Sequence, residues 1–345
     1  MSAARLAGLS RRALLGVALV ATGLGFGLSA RAAEKPELTV YTYSGFAGKY
    51  GPGATIKKRF EEVCGCTLKY VATDDAATLL SRLKLEGKAS KADVVLGLDT
   101  SLMAEAAASG LFQPHGVTVG KTDVPGGWDD ATFLPFDWGW FAFVYDKTKL
   151  AKPPASLTEL IETDAPVKIL IEDPRTSTPG LGLLLWMQAV YGDQAPAMWK
   201  KLAPKIVTVT KGWSEAYGLF LDGEADMVLS YTTSPAYHIL AESKPQYAAA
   251  IFPEGHVAQV EIAGLPKSAP NPELARKFLG FMLSDGFQSA IPEGNWMYPA
   301  VTPAAGLPPV FAELPRPEKT VAISPEAVKD NRRAWIDAWT AALGR

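Results

Sequence analysis

At 345 residues the chain is long enough for two domains of ordinary size. A hydrophobic share of 48% against 20% charged residues excludes disorder, and only two cysteines exclude a disulfide-dense miniprotein. A formal charge of −2, with no block of like charge, excludes a nucleic-acid surface, where clustered Lys and Arg must neutralise phosphates.

The first segment is basic. Arg5, Arg11, Arg12 and Arg31 stand within the first 32 residues with no Asp or Glu. An apolar run from Ala13 to Leu28 follows, and Ala30-Arg31-Ala32 puts small residues where a signal peptidase reads. Residues 1–32 therefore read as an export signal cleaved after Ala32. A membrane anchor needs about 20 apolar residues, and this run is shorter, Gly-rich and followed by the cleavage site. Ser10-Arg11-Arg12-Ala13-Leu14-Leu15 resembles a twin-arginine export signal, with Leu where Phe is usual and Gly16 where the last Lys is usual. That route and the ordinary secretory route both stay open. Cleavage removes four positive charges and leaves 30 basic against 36 acidic residues, a formal −6. No later segment is long and apolar enough to span a bilayer, so no stable membrane insertion of the mature chain is expected.

The mature chain opens on a strand, Leu38 to Tyr43, followed by a Gly-rich turn and a helix from Thr55 to Val63. Cys64 and Cys66 come next, flanking Gly65. In an oxidising compartment they suit a tight disulfide, and two thiolates with no neighbouring His cannot complete a tetrahedral metal shell. The alternation then continues with a strand at Leu68–Ala72, a helix at Ala76–Leu85, a strand at Val94–Leu98 and a helix at Leu102–Ser109. Short apolar strands alternating with helices predict an α/β fold with parallel sheets flanked by helices.

Phe133 to Tyr145 breaks this rhythm, being long, aromatic and without a helix signal, and reads as a crossover between two lobes. A second α/β unit follows: strand Lys168–Glu172, helix Leu181–Tyr191, strand Ile206–Thr208, helix Ser214–Leu221 and strand Met227–Tyr231. Val257 to Ala263 reads as a return crossing. The predicted division is 36–136 plus about 260–305 for the first lobe, 140–256 for the second, and a C-terminal segment, 306–345, ending in a helix of unassigned lobe. A local echo supports two related halves: Ala92–Ser101 aligns without gaps on Ala225–Ser234 with six identities. Each echoed strand would end at a common crevice, where open α/β sheets bind ligands.

Two constellations carry chemistry. Thr178 suits an N-cap and Pro179 the first turn of the helix after Glu172-Asp173-Pro174-Arg175-Thr176-Ser177, and Ser234-Pro235 repeats the device. Such hydroxyl-rich helix starts serve either as plain caps or as anion sites. Tyr43, Trp213, Tyr231, Tyr237, Trp296 and Tyr298 lie in or beside Gly-, Ser- or Pro-rich loops, where they can present a face to a planar cation.

Catalytic patterns are poor. His115, His238 and His256 are scattered without metal-ligand spacing, and there is no nucleophile elbow or phosphate loop. Asp99, Asp137, Asp173 and Glu215 serve better as counter-charges to a cation than as a catalytic pair.

Leu38–Tyr43, Lys91–Asp99, Phe133–Asp146, Asp173–Tyr191, Lys211–Tyr217, Leu229–His238 and Gly294–Pro299 together resemble the periplasmic thiamine-binding proteins of bacterial ABC transporters. The resemblance covers nearly all of the mature chain. It implies a type II-like periplasmic-binding-protein fold, each lobe a central β-sheet flanked by helices, the two joined by crossing strands. It implies capture of thiamine, thiamine monophosphate or thiamine diphosphate, without a cofactor, metal or catalysis. The implied partners are a membrane permease and its ATPase, the protein itself being a periplasmic monomer.

Carried over by position, the resemblance implies that Tyr43, Trp213, Tyr237 and Trp296 surround the rings. Ser177, with Tyr231 and Asn295, would meet the phosphate or hydroxyethyl end. Asp99 would hydrogen-bond the aminopyrimidine or offset the thiazolium charge. Relatives of this kind carry an acid after the tyrosine that corresponds to Tyr43, whereas this chain has Ser44-Gly45. Two other readings compete: a ferric-ion or oxyanion carrier of the same fold, although no Tyr-Tyr pair is present, and an exported thiamine phosphate hydrolase using Ser177.

Overall fold

A computed structural model describes residues 35–344, so the export signal at 1–32 lies outside the described residues. The described residues form twelve strands: β1 (Glu37–Tyr43), β2 (Thr67–Thr73), β3 (Val94–Asp99), β4 (Phe112–Gln113), β5 (Phe133–Asp146), β6 (Ile169–Glu172), β7 (Ile206–Thr210), β8 (Met227–Tyr231), β9 (Tyr247–Ala249), β10 (His256–Pro266), β11 (Tyr298–Pro299) and β12 (Thr320–Val321). The main path runs β2-β1-β3-β10-β5-β8-β6-β7. Along this path the outer pairs on both sides are parallel and the pairings of β10 and β5 are antiparallel; off it, β12 pairs with β10 in parallel.

β5 is the connecting element. Phe133 to Trp140 pairs with β10, and Phe141 to Tyr145 continues on to pair with β8. The run is buried almost throughout, which explains its aromatic and apolar composition: a strand covered on both faces has no polar side to alternate. β10 returns beside its first half, and His256 at the start of β10 anchors it through Nδ1 against the Phe141 carbonyl at 2.7 Å.

The sequence echo has a structural counterpart. Thr39 N–H donates to Asp93 Oδ2 at 2.8 Å while Asp93 N–H donates back to the Thr39 carbonyl. Lys168 N–H donates to Asp226 Oδ2 at 2.8 Å while Asp226 N–H donates back to the Lys168 carbonyl. In each half the aspartate before the echoed strand clips the neighbouring parallel strand by the same two bonds.

The terminal helix Pro325–Leu343 starts at Ser324, whose Oγ accepts from Ala327 N–H at 3.2 Å. It touches both halves. Arg332 Nη1 lies 2.8 Å from Glu105 Oε2 beside β3, and Trp339 is buried edge-on to Trp199 in the second half. Cys64 and Cys66 are joined as a disulfide. Among the described residues, no helix is long and apolar enough to cross a membrane.

Candidate functional site

Parallel strands β1, β3, β6 and β8 all end at the junction of the two halves, and a cavity of about 650 Å³ opens there. One wall comes from the second half. Trp213 is the first residue of the helix Trp213–Leu221; its ring stacks on Tyr217 at 4.8 Å, and its Nε1 donates to Ser230 Oγ at 2.7 Å. Tyr231 ends β8, packs on Phe141 at 5.1 Å, and donates from its hydroxyl to Gln259 Oε1 at 2.7 Å. Tyr237 projects from the helix Pro235–Glu242 and meets Trp296 edge-on at 5.3 Å.

Trp296 and Tyr43 complete the aromatic lining from the first half. Trp296 has φ +58°, a left-handed conformation that costs energy for a bulky residue and concentrates at functional sites. Its N–H is held by the Ile291 carbonyl at 3.1 Å. Tyr43 keeps its place because position 97 is glycine: φ there is +102°, and an added Cβ would lie 2.3 Å from the Tyr43 ring. Gly97→Ala is expected to lower stability by about 1–3 kcal/mol and to weaken ligand binding by pushing Tyr43 aside. Denaturant midpoints and ligand titration on the same variant check both effects, and an unchanged midpoint would contradict the tight contact.

The cavity floor is acidic. Glu261 and Asp75 line it, with Asp137, Asp99 and Glu172 buried around them. Burial pushes the Asp75 carboxyl up to about 6, against the pull of N–H donors from Ala76 and Thr178. Burial, then the nearby Asp75 charge, raises Glu172, whose carboxylate oxygens have no hydrogen-bond partner. Burial raises Asp137, and burial with the Asp137 charge raises Glu261. At the exposed mouth stand Lys49, Lys211, Glu215 and Tyr50, the last 76% exposed. The site therefore offers flat aromatic faces and carboxylates inside, with Lys49 and Lys211 at the entrance beside Glu215 and Asp74, whose Oδ1 lies 3.6 Å from Lys211 Nζ.

Of the residues expected at the site, Tyr43, Trp213, Tyr231, Tyr237, Asn295 and Trp296 line this one cavity. Asp99 and Ser177 do not line it. Asp99 is buried, with Oδ1 accepting from Ser101 N–H at 2.7 Å and from the Ser101 hydroxyl, and Oδ2 accepting from Thr178 Oγ1 at 3.0 Å. It ties β3 to the helix Thr178–Tyr191 of the other half.

Ser177, not Thr178, holds the N-cap position of that helix, and its hydroxyl makes no capping bond. The helix start is met instead by Asp75, whose Oδ2 accepts from Thr178 N–H at 3.2 Å. A carboxylate outcompetes a hydroxyl at a helix N-terminus because it also opposes the dipole. Ser234 likewise caps nothing by its side chain; its Oγ bonds Ser230 Oγ at 2.7 Å. Tyr298 is buried away from the cavity, stacked on Trp138 at 4.7 Å.

Glu261, Asp75, Lys49 and Lys211 are lining residues that sequence reasoning did not single out. Glu261 had a signal available, a lone acid inside the apolar run of β10. Asp75 reads from sequence as an ordinary helix cap, which it also is, through Thr78.

The family model for bacterial extracellular solute-binding proteins matches residues 44–289. The chain is 59% identical over 311 residues to a protein of Escherichia coli (strain K12) named thiamine-binding periplasmic protein, covering 90% of this chain and 94% of that one. It superposes with a TM-score of 0.88 on a solved structure described as a periplasmic thiamin binding protein, at 59% identity, covering 90% of this chain and 97% of the other. The iron-bound HitA structure from Pseudomonas aeruginosa matches with a TM-score of 0.73 at 20% identity, a likeness of fold alone.

Proposed function

The chain belongs to the bacterial extracellular solute-binding proteins and, within them, to the periplasmic thiamine-binding proteins; from that premise we propose how it captures its ligand. Thiamine carries two flat rings, one of them a permanent cation. It is held between two lobes, 36–136 with about 260–305 and 140–256, which close on it by a hinge motion. The observation that carries this reading is the pairing of aromatic walls with a buried acidic floor in one cavity. A cation with apolar faces is stabilised by both, through stacking and cation–π attraction on Trp213, Tyr43, Tyr237 and Trp296 and through charge from below.

Asn295 and Tyr231 supply polar contacts, while Asp99 and Ser177 lie behind the wall; Asp99 from there and Asp75 from the cavity side hold the helix Thr178–Tyr191 in place. The monophosphate and diphosphate are ligands too, their tails pointing to the mouth, where Lys49 and Lys211 supply positive charge. The mature protein, cut after Ala32, works in the periplasm as a monomer and hands its ligand to an inner-membrane permease served by an ATPase. It does no chemistry on the ligand.

The test is a titration of the mature protein with thiamine and both phosphate esters, followed by tryptophan fluorescence, with the ligand recovered and analysed. Saturable quenching by thiamine and unchanged recovered ligand are expected. An absent response to thiamine, or free phosphate released from the esters, would overturn the reading.

A further inference from the structure

The floor contains one carboxylate pair in direct register. Glu261 of β10 stands opposite Asp137 of β5 in the antiparallel ladder, so the two side chains lie next to each other. Glu261 lines the cavity and Asp137 sits behind it, fully buried. Asn295 Nδ2 donates to Asp137 Oδ2 at 2.6 Å and reaches Glu261 Oε2 at 3.3 Å. Tyr43 donates from its hydroxyl to Glu261 Oε2 at 2.7 Å, and Gln259 Nε2 donates to Glu261 Oε1 at 3.1 Å. Asp137 Oδ1 has no partner.

All three donors are neutral. The groups that face the pair from the surrounding elements are Tyr43 from β1, Asp99 from β3, Tyr231 from β8 and Asp75 from the start of the helix Ala76–Glu86. None is a cation. Two carboxylates side by side in a desolvated site resist ionising together unless a positive charge is added, because each charge raises the cost of the other.

We infer that Asp137 and Glu261 form the cation subsite of the cavity: they share one proton when it is empty, and the charged ring of a cationic aromatic heterocycle takes that proton's place. On binding, the shared O–H bond breaks, its electron pair stays on the carboxylate, and the proton leaves to solvent. The pair passes from one negative charge to two as the ligand brings in one positive charge. The identity of the ligand rests on the thiamine reading above; its charge class rests on the pair. Because the empty site holds the proton and the filled site does not, affinity rises with pH, about tenfold per unit in the range where one proton is released per ligand. The pair thereby selects charged rings over neutral ones of the same shape.

The experiment is calorimetry of the mature protein between about pH 5.5 and 8 in buffers of differing ionisation enthalpy, with thiamine and with its uncharged thiophene isostere, 3-deazathiamine. Thiamine is expected to release close to one proton in the lower part of that range, and the isostere none. Asp137→Asn should abolish the release and flatten the rise of thiamine affinity with pH. Glu261→Gln should cost thiamine roughly tenfold or more, and cost the isostere clearly less. The wild-type comparison of the two ligands needs no variant to fold.

Thiamine binding without proton release, or equal release with the isostere, would overturn the inference alone. So would release that survives in both pair variants and vanishes in Asp75→Asn, which would put the proton on Asp75. Failure to bind thiamine at any pH would overturn the functional reading and the inference with it.

Discussion

Trp213→Ala is expected to weaken thiamine binding roughly thirtyfold, a loss of about 2 kcal/mol, with the fold intact. The size follows from the position of the ring. Tyr217 backs one face at 4.8 Å and Ser230 fixes its edge, so the indole is already held in place before a ligand arrives. A preorganised face spends little conformational entropy on binding. Trp213→Phe keeps a face but loses the bond to Ser230, and should fall between the two. Calorimetry on both variants measures the effect; alanine and wild-type affinities within a factor of two would contradict the stacking role. The variant should stay folded because Trp213 is only partly buried, at the exposed end of its helix.

Trp186→Ala carries the largest expected cost in stability, about 3–5 kcal/mol. Trp186 is fully buried on the helix Thr178–Tyr191, its ring 4.6 Å from His256 and 5.8 Å from Phe252, and its Nε1 donates to the Gly255 carbonyl at 2.8 Å. Truncation leaves both a cavity and a buried acceptor without its donor. The same helix begins at Thr178, where Asp75 and Asp99 of the other half attach, so loosening it should also weaken ligand binding. A urea midpoint shift equivalent to less than about 1 kcal/mol would contradict this packing role.

The alternation of strands and helices was legible because each element repeats a short pattern of apolar residues. Phe133 to Tyr145 stood out for the opposite reason: a strand buried on both faces shows no alternation, and the structure extends it to Asp146 as β5. The echo of Ala92–Ser101 in Ala225–Ser234 marked the two clip aspartates before their geometry was known. Tyr43, Trp213, Tyr237 and Trp296 were legible as site candidates because large aromatics in Gly-, Ser- or Pro-rich loops have a weaker packing explanation than aromatics inside strands.

What stayed hidden is non-local. Asp75 and Thr178 are 103 residues apart in the chain, and nothing in either segment announces that the carboxylate of one fills the helix start of the other. For the same reason sequence does not show that Asp99, at a strand end, accepts a bond from Thr178 of the other half, or that Ser177, at the helix start, is buried. Glu261 and Asp137 become a pair only through the register of β10 on β5, which sequence does not give. The left-handed backbone of Trp296 also carries no sequence signal, since a bulky residue is disfavoured there.

The most direct test of the central claim is a crystal structure of the mature protein grown with thiamine. Density for one thiamine is predicted inside the cavity, its rings against Trp213 and Tyr43 and its charged ring closest to the Glu261 carboxylate. An empty cavity at saturating thiamine, or density for the ligand elsewhere on the chain, would contradict it.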